Sequence, residues 1–388
     1  MYSKHRIKLM VLHPTFVFGG AERSIIHILS SLDKERFYII LVTSRKMAAL
    51  FPPNTVDKLI PIEDLDINIW YSDRSWRNFW SDAFRIAKVL RAEGPDIALG
   101  MMYYASVVLV LARLFCPCKC KIIASPRGPM MAYFYAFHSK RSLNNILIKK
   151  SFSWFCRFAD YLIVASKGLR EECICLGTDP ENIRVIPNGI DVHAVRTASL
   201  EEVTGVTLPR GYRSIVTAGR LTQEKDIALI LKTIAQIKHI ISLKFVIVGD
   251  GSERKALEQT ARDLGMEEDS IFVGFQPNPF KFFRWADIYV HACIFEGFGN
   301  TLVEAMACGC PVIATDCPFG PRDIVEHGEN GFLVEMGSVE AMRNALLTIL
   351  QDNDLLMRMS TDALRRSKEF PVARMVEGYA EVFNQFAC

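Results

Sequence analysis

Between Asp96 and Asp160 the chain carries no acidic residue. It also lacks an apolar run of the roughly 20 residues needed to span a bilayer. The longest, Ile97 to Ala112, stops at Arg113 and contains Gly100, so it reads as strand, turn and helix. No secretory leader is evident, because Ile7 to Leu12 is too short for its apolar core. Short repeats and low-complexity segments are missing, and half of the residues are hydrophobic, which excludes a disordered chain. The eleven cysteines include Cys116, Cys118 and Cys120, but no second cluster at zinc spacing follows. Others, such as Cys293, Cys308 and Cys310, sit in apolar segments as small core residues, which points to a reducing cytoplasm. The histidines (His5, His13, His27, His138, His193, His239, His291 and His327) show no metal spacing, and Asp64 and Asp66 read as a solvated acidic loop.

The charge that is present is unevenly spread. Residues 1–195 hold 26 Lys+Arg against 17 Asp+Glu, and the remainder 20 against 26. The acid-free stretch contains Arg113, Lys119, Lys121, Arg127, Lys140, Arg141, Lys149, Lys150 and Arg157. Aromatics are interleaved with them: Tyr133, Phe134, Tyr135, Phe137, Phe152, Trp154, Phe155 and Phe158. Two readings stand. One is a surface for anionic membrane lipid, the other aromatic core beneath an ordinary basic face. No nucleic-acid-binding motif occurs.

At 388 residues the chain exceeds one ordinary core. Apolar strand-like runs alternate with helical stretches, first from Ile7 to Ile186 and again from Ser214 to Val334, and the end of the chain reads as helical. This predicts an α/β protein with two doubly wound parallel sheets, whose ligand sites lie at the carboxyl ends of the strands and so in a cleft between the domains. The expected domains are 1–195, 196–367 and a C-terminal helix, 368–388, packing back on the first. Ile186 to Asp191 is a turn cluster, and the polar residues up to about Arg213 read as a linker.

Three loops carry candidate chemistry. Gly19-Gly20-Ala21-Glu22 opens a helix after the first strand, where glycines allow close backbone approach to a phosphate. Gly219-Arg220-Leu221-Thr222-Gln223-Glu224-Lys225 follows the first strand of the second series. There Arg220 and Lys225 either face a diphosphate or form surface ion pairs with Glu224 and Asp226. Glu296-Gly297-Phe298-Gly299-Asn300-Thr301-Leu302-Val303-Glu304 sets two carboxylates around a glycine loop and a helix start. Thr301 and Glu304 also fit a capping box. Gly249 and Gly251 form a strand-to-helix turn, and Phe275 follows Val273-Gly274 at a strand end.

Together these strings resemble the retaining glycosyltransferases of family 4, with the GT-B fold of two facing Rossmann-like domains, and Asp316-Cys317-Pro318-Phe319-Gly320-Pro321-Arg322-Asp323-Ile324-Val325 resembles the subgroup acting in bacterial surface-polysaccharide and lipid-linked glycan assembly. The match is strongest from Ser214 to Val334 and covers Gly19 to Glu22, the region of Arg127, and Ile186 to Asp191 in the first half. The resemblance implies transfer of a hexose or N-acetylhexosamine from a nucleotide diphosphate sugar, UDP-linked by preference, to a glycan or lipid-linked hydroxyl. It implies Arg220 and Lys225 on the donor diphosphate and Glu296 on the sugar. Glu304 would hold the ribose, and the amides of Phe298, Gly299 and Asn300 the sugar and distal phosphate. Thr301 would begin the anion-binding helix, Gly249 and Phe275 lie by the nucleotide, and Gly19 and Gly20 border donor and acceptor. It implies no metal and no cofactor.

Arg127 stands where many members carry a histidine, after what reads as the fourth strand of the first domain; it cannot act as a base but can bind a phosphate or sugar hydroxyl, and the resemblance places it among the donor-binding residues. Asp226 replaces a usual glycine. Partners implied are a nucleotide-sugar donor, a glycan or lipid-linked acceptor and an anionic membrane face, without nucleic acid, with location in the cytoplasm or on the inner face of its membrane. A phosphorylase, an epimerase or a non-catalytic nucleotide-sugar binder shares the architecture.

Overall fold

The computed structural model describes residues 6–13, 19–67, 76–117, 119–137, 143–204, 206, 209 and 211–387. His5, Cys118, His138, Lys140, Arg141 and the loop before Gly19, all part of the sequence reading, lie outside them. The chain divides into two compact units, Met1–Gly189 with Val372–Cys388, and Ile190–Pro371.

In the first unit the strands are β1 Ile7–His13, β2 Phe37–Thr43, β3 Lys58–Pro61, β4 Ile97–Met101, β5 Lys121–Ser125, β6 Tyr161–Val164 and β7 Ile183–Val185. They form a parallel sheet in the order β3-β2-β1-β4-β5-β6-β7. The direction of winding reverses between β1 and β4. Strands covered on both faces must be apolar at nearly every position, and β2, β4 and β6 are. Strand β3 escaped the sequence reading because it is a short edge strand, half exposed and ending in proline. Arg127 therefore follows the fifth strand rather than the fourth. The helix Val372–Gln385 belongs to this unit, where Tyr379 and Phe383 are buried in one cluster with Leu9, Val11, Phe37 and Ile186.

The second unit has β8 Arg213–Ala218, β9 Leu243–Val248, β10 Ser270–Gly274, β11 Ile288–His291, β12 Val312–Thr315 and β13 Gly331–Val334, in the parallel order β10-β9-β8-β11-β12-β13. Its winding reverses between β8 and β11. The two crossings of the unit boundary fall together: Ile190 pairs with Pro371, and the Ile190 N–H donates to the Phe370 carbonyl at 2.8 Å. The expected linker is not plain coil. It holds a helix, Val192–Ala198, capped by Asp191, whose carboxylate accepts from the Ala194 N–H at 2.9 Å. The unit boundary accordingly lies at residues 189–190, upstream of the expected 195–196.

Candidate functional site

Lys225 and Glu296 meet. Lys225 ends a short turn after β8, and Glu296 lies in the loop after β11, so both leave strands that flank the reversal of winding. Such a switch point opens a crevice for ligands at the strand ends. A backbone bond joins the two loops, from the Ile294 N–H to the Glu224 carbonyl at 3.0 Å. The Lys225 ammonium is 2.5 Å from Glu296 Oε2, with both side chains about one-fifth exposed.

Burial works against the lysine charge, but the Glu296 carboxylate beside it more than reverses this and holds its pKa above the usual range. Burial likewise pushes against the Glu296 carboxylate, yet Lys225 and His291 keep it well below the usual carboxylate value. The site thus holds a fixed positive charge against a fixed negative one.

Behind the pair lies a polar chain that the sequence concealed. His291 Nε2 is 3.4 Å from Glu296 Oε2 and 2.8 Å from Cys293 Sγ. Its Nδ1 is 3.2 Å from the Tyr289 hydroxyl, which donates to Thr301 Oγ1 at 2.8 Å. Burial lowers the His291 pKa and raises those of Tyr289 and Cys293, so the ring, phenol and thiol are held neutral. His291, Cys293 and Glu296 each present a potential metal-ligating atom, mutually within 4.8 Å. The cation standing among them is the Lys225 ammonium, 3.6 Å from Cys293 Sγ as well.

The helix Asn300–Ala307 begins one residue before Thr301, and its N-cap is Gly299, with φ +104 and no side-chain capping bond. Thr301 is inside the first turn and bonds Tyr289, so the capping-box reading of Thr301 and Glu304 does not hold. Among the described residues the Phe298 and Gly299 N–H groups have no hydrogen-bond partner, although this stretch is buried. Unpaired buried amides at a helix start suit an anion. Phe298 packs its ring on Phe370, and Glu304 is 1% exposed.

Arg220 is exposed, with a loose 3.9 Å contact to Glu224, so its guanidinium is available to a ligand. Asp226 adopts φ +39, which explains why glycine suits that position and why aspartate is tolerated. Gly249 has a packing role: a Cβ there would lie 1.8 Å from the Gly219 carbonyl oxygen, and its N–H donates to the Gly274 carbonyl at 2.8 Å. Phe275, just beyond, is 70% exposed.

The remaining predicted residues belong to the first unit. Gly19 caps the helix Gly20–Ser31 in an extended conformation. In that helix Glu22 is buried 3.3 Å from His13 Nε2 at the end of β1, a pair absent from the sequence reading. Arg127 is buried after β5, bonded to Tyr379 and Asn188.

Residues 201–366 match the family described as Glycosyl transferases group 1, and residues 18–194 that described as Glycosyltransferase Family 4. The chain is 28% identical over 289 residues to an N-acetylgalactosaminyltransferase of Campylobacter jejuni that acts on a diphospho-undecaprenol-linked sugar, covering 74% of this chain and 76% of the relative. It is 28% identical to the lipopolysaccharide core biosynthesis glycosyltransferase LpsE of Rhizobium meliloti, covering 65% and 74%. Anabaena HepE, solved with UDP, superposes with a TM-score of 0.78 at 23% identity over 98% of this chain and all of that one. Two parallel α/β units with these matches define a glycosyltransferase of the GT-B fold. Within that class, the chain belongs to the family 4 type, whose relatives here build bacterial lipid-linked glycans and lipopolysaccharide.

Proposed function

We propose that the protein transfers a hexose or N-acetylhexosamine from a UDP-sugar to a hydroxyl of a glycan or lipid-linked glycan, with retention of anomeric configuration. The observation that carries this reading is the Lys225–Glu296 pair beside the unpaired amides of Phe298 and Gly299. As the glycosidic bond breaks, negative charge grows on the departing diphosphate. Lys225, Arg220 and the start of the Asn300–Ala307 helix meet it with charges already in place, which lowers the barrier without reorganisation.

Glu296, held ionised by Lys225, accepts sugar hydroxyl hydrogens and orients the ring. Glu304 takes the ribose hydroxyls, and the exposed Phe275 ring gives the base a stacking face. No protein nucleophile is needed: the acceptor hydroxyl attacks the face the diphosphate leaves, and a departing phosphate oxygen takes its proton. Transfer proceeds without metal, since the lysine, arginine and amides supply the neutralisation. Mass spectrometry of products from a panel of nucleotide sugars with cell-envelope lipid extract, in the presence of a chelator, tests this. Hydrolysis or epimerisation without transfer, or loss of transfer on chelation, refutes it.

We also propose that the first unit rests on an anionic membrane face, in the cytoplasm. Trp80, Leu111, Leu114, Leu147, Trp154 and Lys150 line an apolar groove of about 240 Å³, and Leu114 and Trp80 are 60% and 38% exposed. The helices that carry Trp80 and Trp154, Trp76–Glu93 and Leu143–Phe158, also bear the exposed cations Lys88, Arg91, Lys149 and Arg157. Apolar side chains on helices that also carry positive charge suit acyl chains beneath anionic headgroups. Among the described residues no helix is long and apolar enough to cross a membrane.

A further inference from the structure

Arg127 lies in Ser125-Pro126-Arg127-Gly128-Pro129, at the carboxyl end of β5 in the first unit. Its backbone has φ +62, a left-handed conformation that long side chains rarely adopt. Its residue exposure is 8%. One guanidinium nitrogen, Nη1, donates to the Tyr379 hydroxyl at 2.9 Å, and Nη2 donates to Asn188 Oδ1. The Tyr379 hydroxyl is itself 3.3 Å from Ser125 Oγ. All of these partners are uncharged. Among the described residues no carboxylate lies within ion-pair distance of Arg127.

A guanidinium is a permanent cation. Burying one against neutral groups alone is strongly disfavoured, so such a residue is kept where a ligand brings the missing charge. Strained backbone held in place by its surroundings clusters at ligand sites for the same reason. The planar fork, braced from two sides by Tyr379 and Asn188, still has N–H groups to offer. Two oxygens of one phosphate or carboxylate match that geometry.

We propose that Arg127 binds an oxyanionic group, phosphate or carboxylate, carried by the acceptor substrate. This rests on the glycosyltransfer reading above, in which the donor diphosphate already has Lys225, Arg220 and helix amides in the second unit. Arg127 is a surplus cation in the other unit, and its counter-charge comes from the second substrate. Specificity follows: an acceptor lacking the anionic group leaves the buried cation uncompensated and binds weakly.

Three measurements on the full chain and its Arg127→Gln and Arg127→Lys variants test this: thermal melts with inorganic phosphate, calorimetric titration with UDP, and transfer kinetics with cell-envelope lipid extract. Phosphate is expected to raise the melting temperature of the wild type and not of Arg127→Gln, with Arg127→Lys between them. UDP binds all three alike, and Arg127→Gln raises the acceptor KM by about tenfold or more at unchanged donor KM. A comparable loss of UDP affinity in Arg127→Gln gives the anion to the donor and overturns the proposal. Phosphate protection without any change in acceptor KM makes this a free-phosphate site and overturns it too. Equal phosphate protection of wild type and Arg127→Gln does the same.

So does a lower melting temperature of unliganded Arg127→Gln: removing an uncompensated cation leaves the empty protein at least as stable, whereas removing a strut does not. If no variant binds UDP while phosphate protection and acceptor KM still depend on Arg127, the donor reading falls and the oxyanion assignment stands.

Discussion

The Lys225 ammonium sits 2.5 Å from Glu296 Oε2 although the two residues are far apart in the chain and leave different strands, β8 and β11. Each fixes the protonation state of the other, so neither charge has to be created during the reaction. Changing Lys225 to Ala removes the cation and strands a largely buried carboxylate. Turnover should fall by about a hundredfold or more, and stability by about 1–3 kcal/mol. Adding Glu296→Gln should recover the stability but not the turnover. Steady-state transfer assays and thermal melts on the single and double variants read both quantities, and near-normal transfer by Lys225→Ala sinks the assignment.

The sequence singled out both residues because their surroundings are written in short strings, Gly219-Arg220-Leu221 with Glu224-Lys225 and the Glu296 to Glu304 spacing, but it assigned each to a ligand and not to the other. The alternation of strands and helices likewise marked both sheets, since parallel strands covered on both faces leave near-continuous apolar runs. Other features were hidden for physical reasons. Tyr289, His291 and Cys293 sit in a buried strand and the start of its loop, where their side chains look like ordinary core filling until the fold brings them to Glu296. Thr301 and Glu304 matched a cap motif by spacing alone, but Gly299 takes the cap position because the loop enters the helix through a left-handed residue. The helix Val192–Ala198 was obscured by a polar stretch that reads as coil.

Phe275 is 70% exposed directly after Gly274, whose φ of +72 turns the chain at the end of β10. An aromatic ring left in water at a strand end contributes nothing to the core. Its replacement by Ala should leave the melting temperature unchanged and weaken UDP binding by about 1–3 kcal/mol, the range for base–aromatic stacking. Calorimetric titration with UDP, compared with free pyrophosphate, isolates the contribution of the base. Equal UDP affinity in the variant removes Phe275 from the nucleotide site.

His291 gives the fold a pH dependence of definite sign. Burial holds its pKa below the ordinary value of 6.5, so the folded chain keeps the ring neutral where the unfolded chain takes up a proton. The stabilisation is therefore complete above 6.5 and declines as pH falls from there toward the depressed folded value. Glu296, also depressed, gives way only lower, beginning below the ordinary carboxylate value of 4.5. Replacing His291 by Gln should flatten the fall in melting temperature that sets in as pH drops below 6.5, while keeping the acid limb that begins below 4.5. An unchanged slope in that upper window assigns it to other groups.

The groove lined by Trp80, Leu114 and Trp154 makes a prediction that separates lipid contact from core packing. Leu114 is 60% exposed, so a charged replacement costs the fold little, whereas on a bilayer it would place a carboxylate among acyl chains. The exposed cations of these helices act over a Debye length of about 10 Å at 0.1 M salt. In flotation assays the wild type should rise with vesicles containing anionic lipid at low salt and much less with zwitterionic ones. Leu114→Glu should lose binding to the anionic vesicles, and Lys149→Glu with Lys150→Glu should do so more steeply as salt is added. Transfer to a soluble acceptor analogue should be unaffected in these variants, because the substituted positions are on the helices Met102–Phe115 and Leu143–Phe158 and not in the loops after β8 and β11. If the wild type ignores anionic vesicles at low salt, the basic face is only a solvated surface and the exposed tryptophan and leucine have another cause.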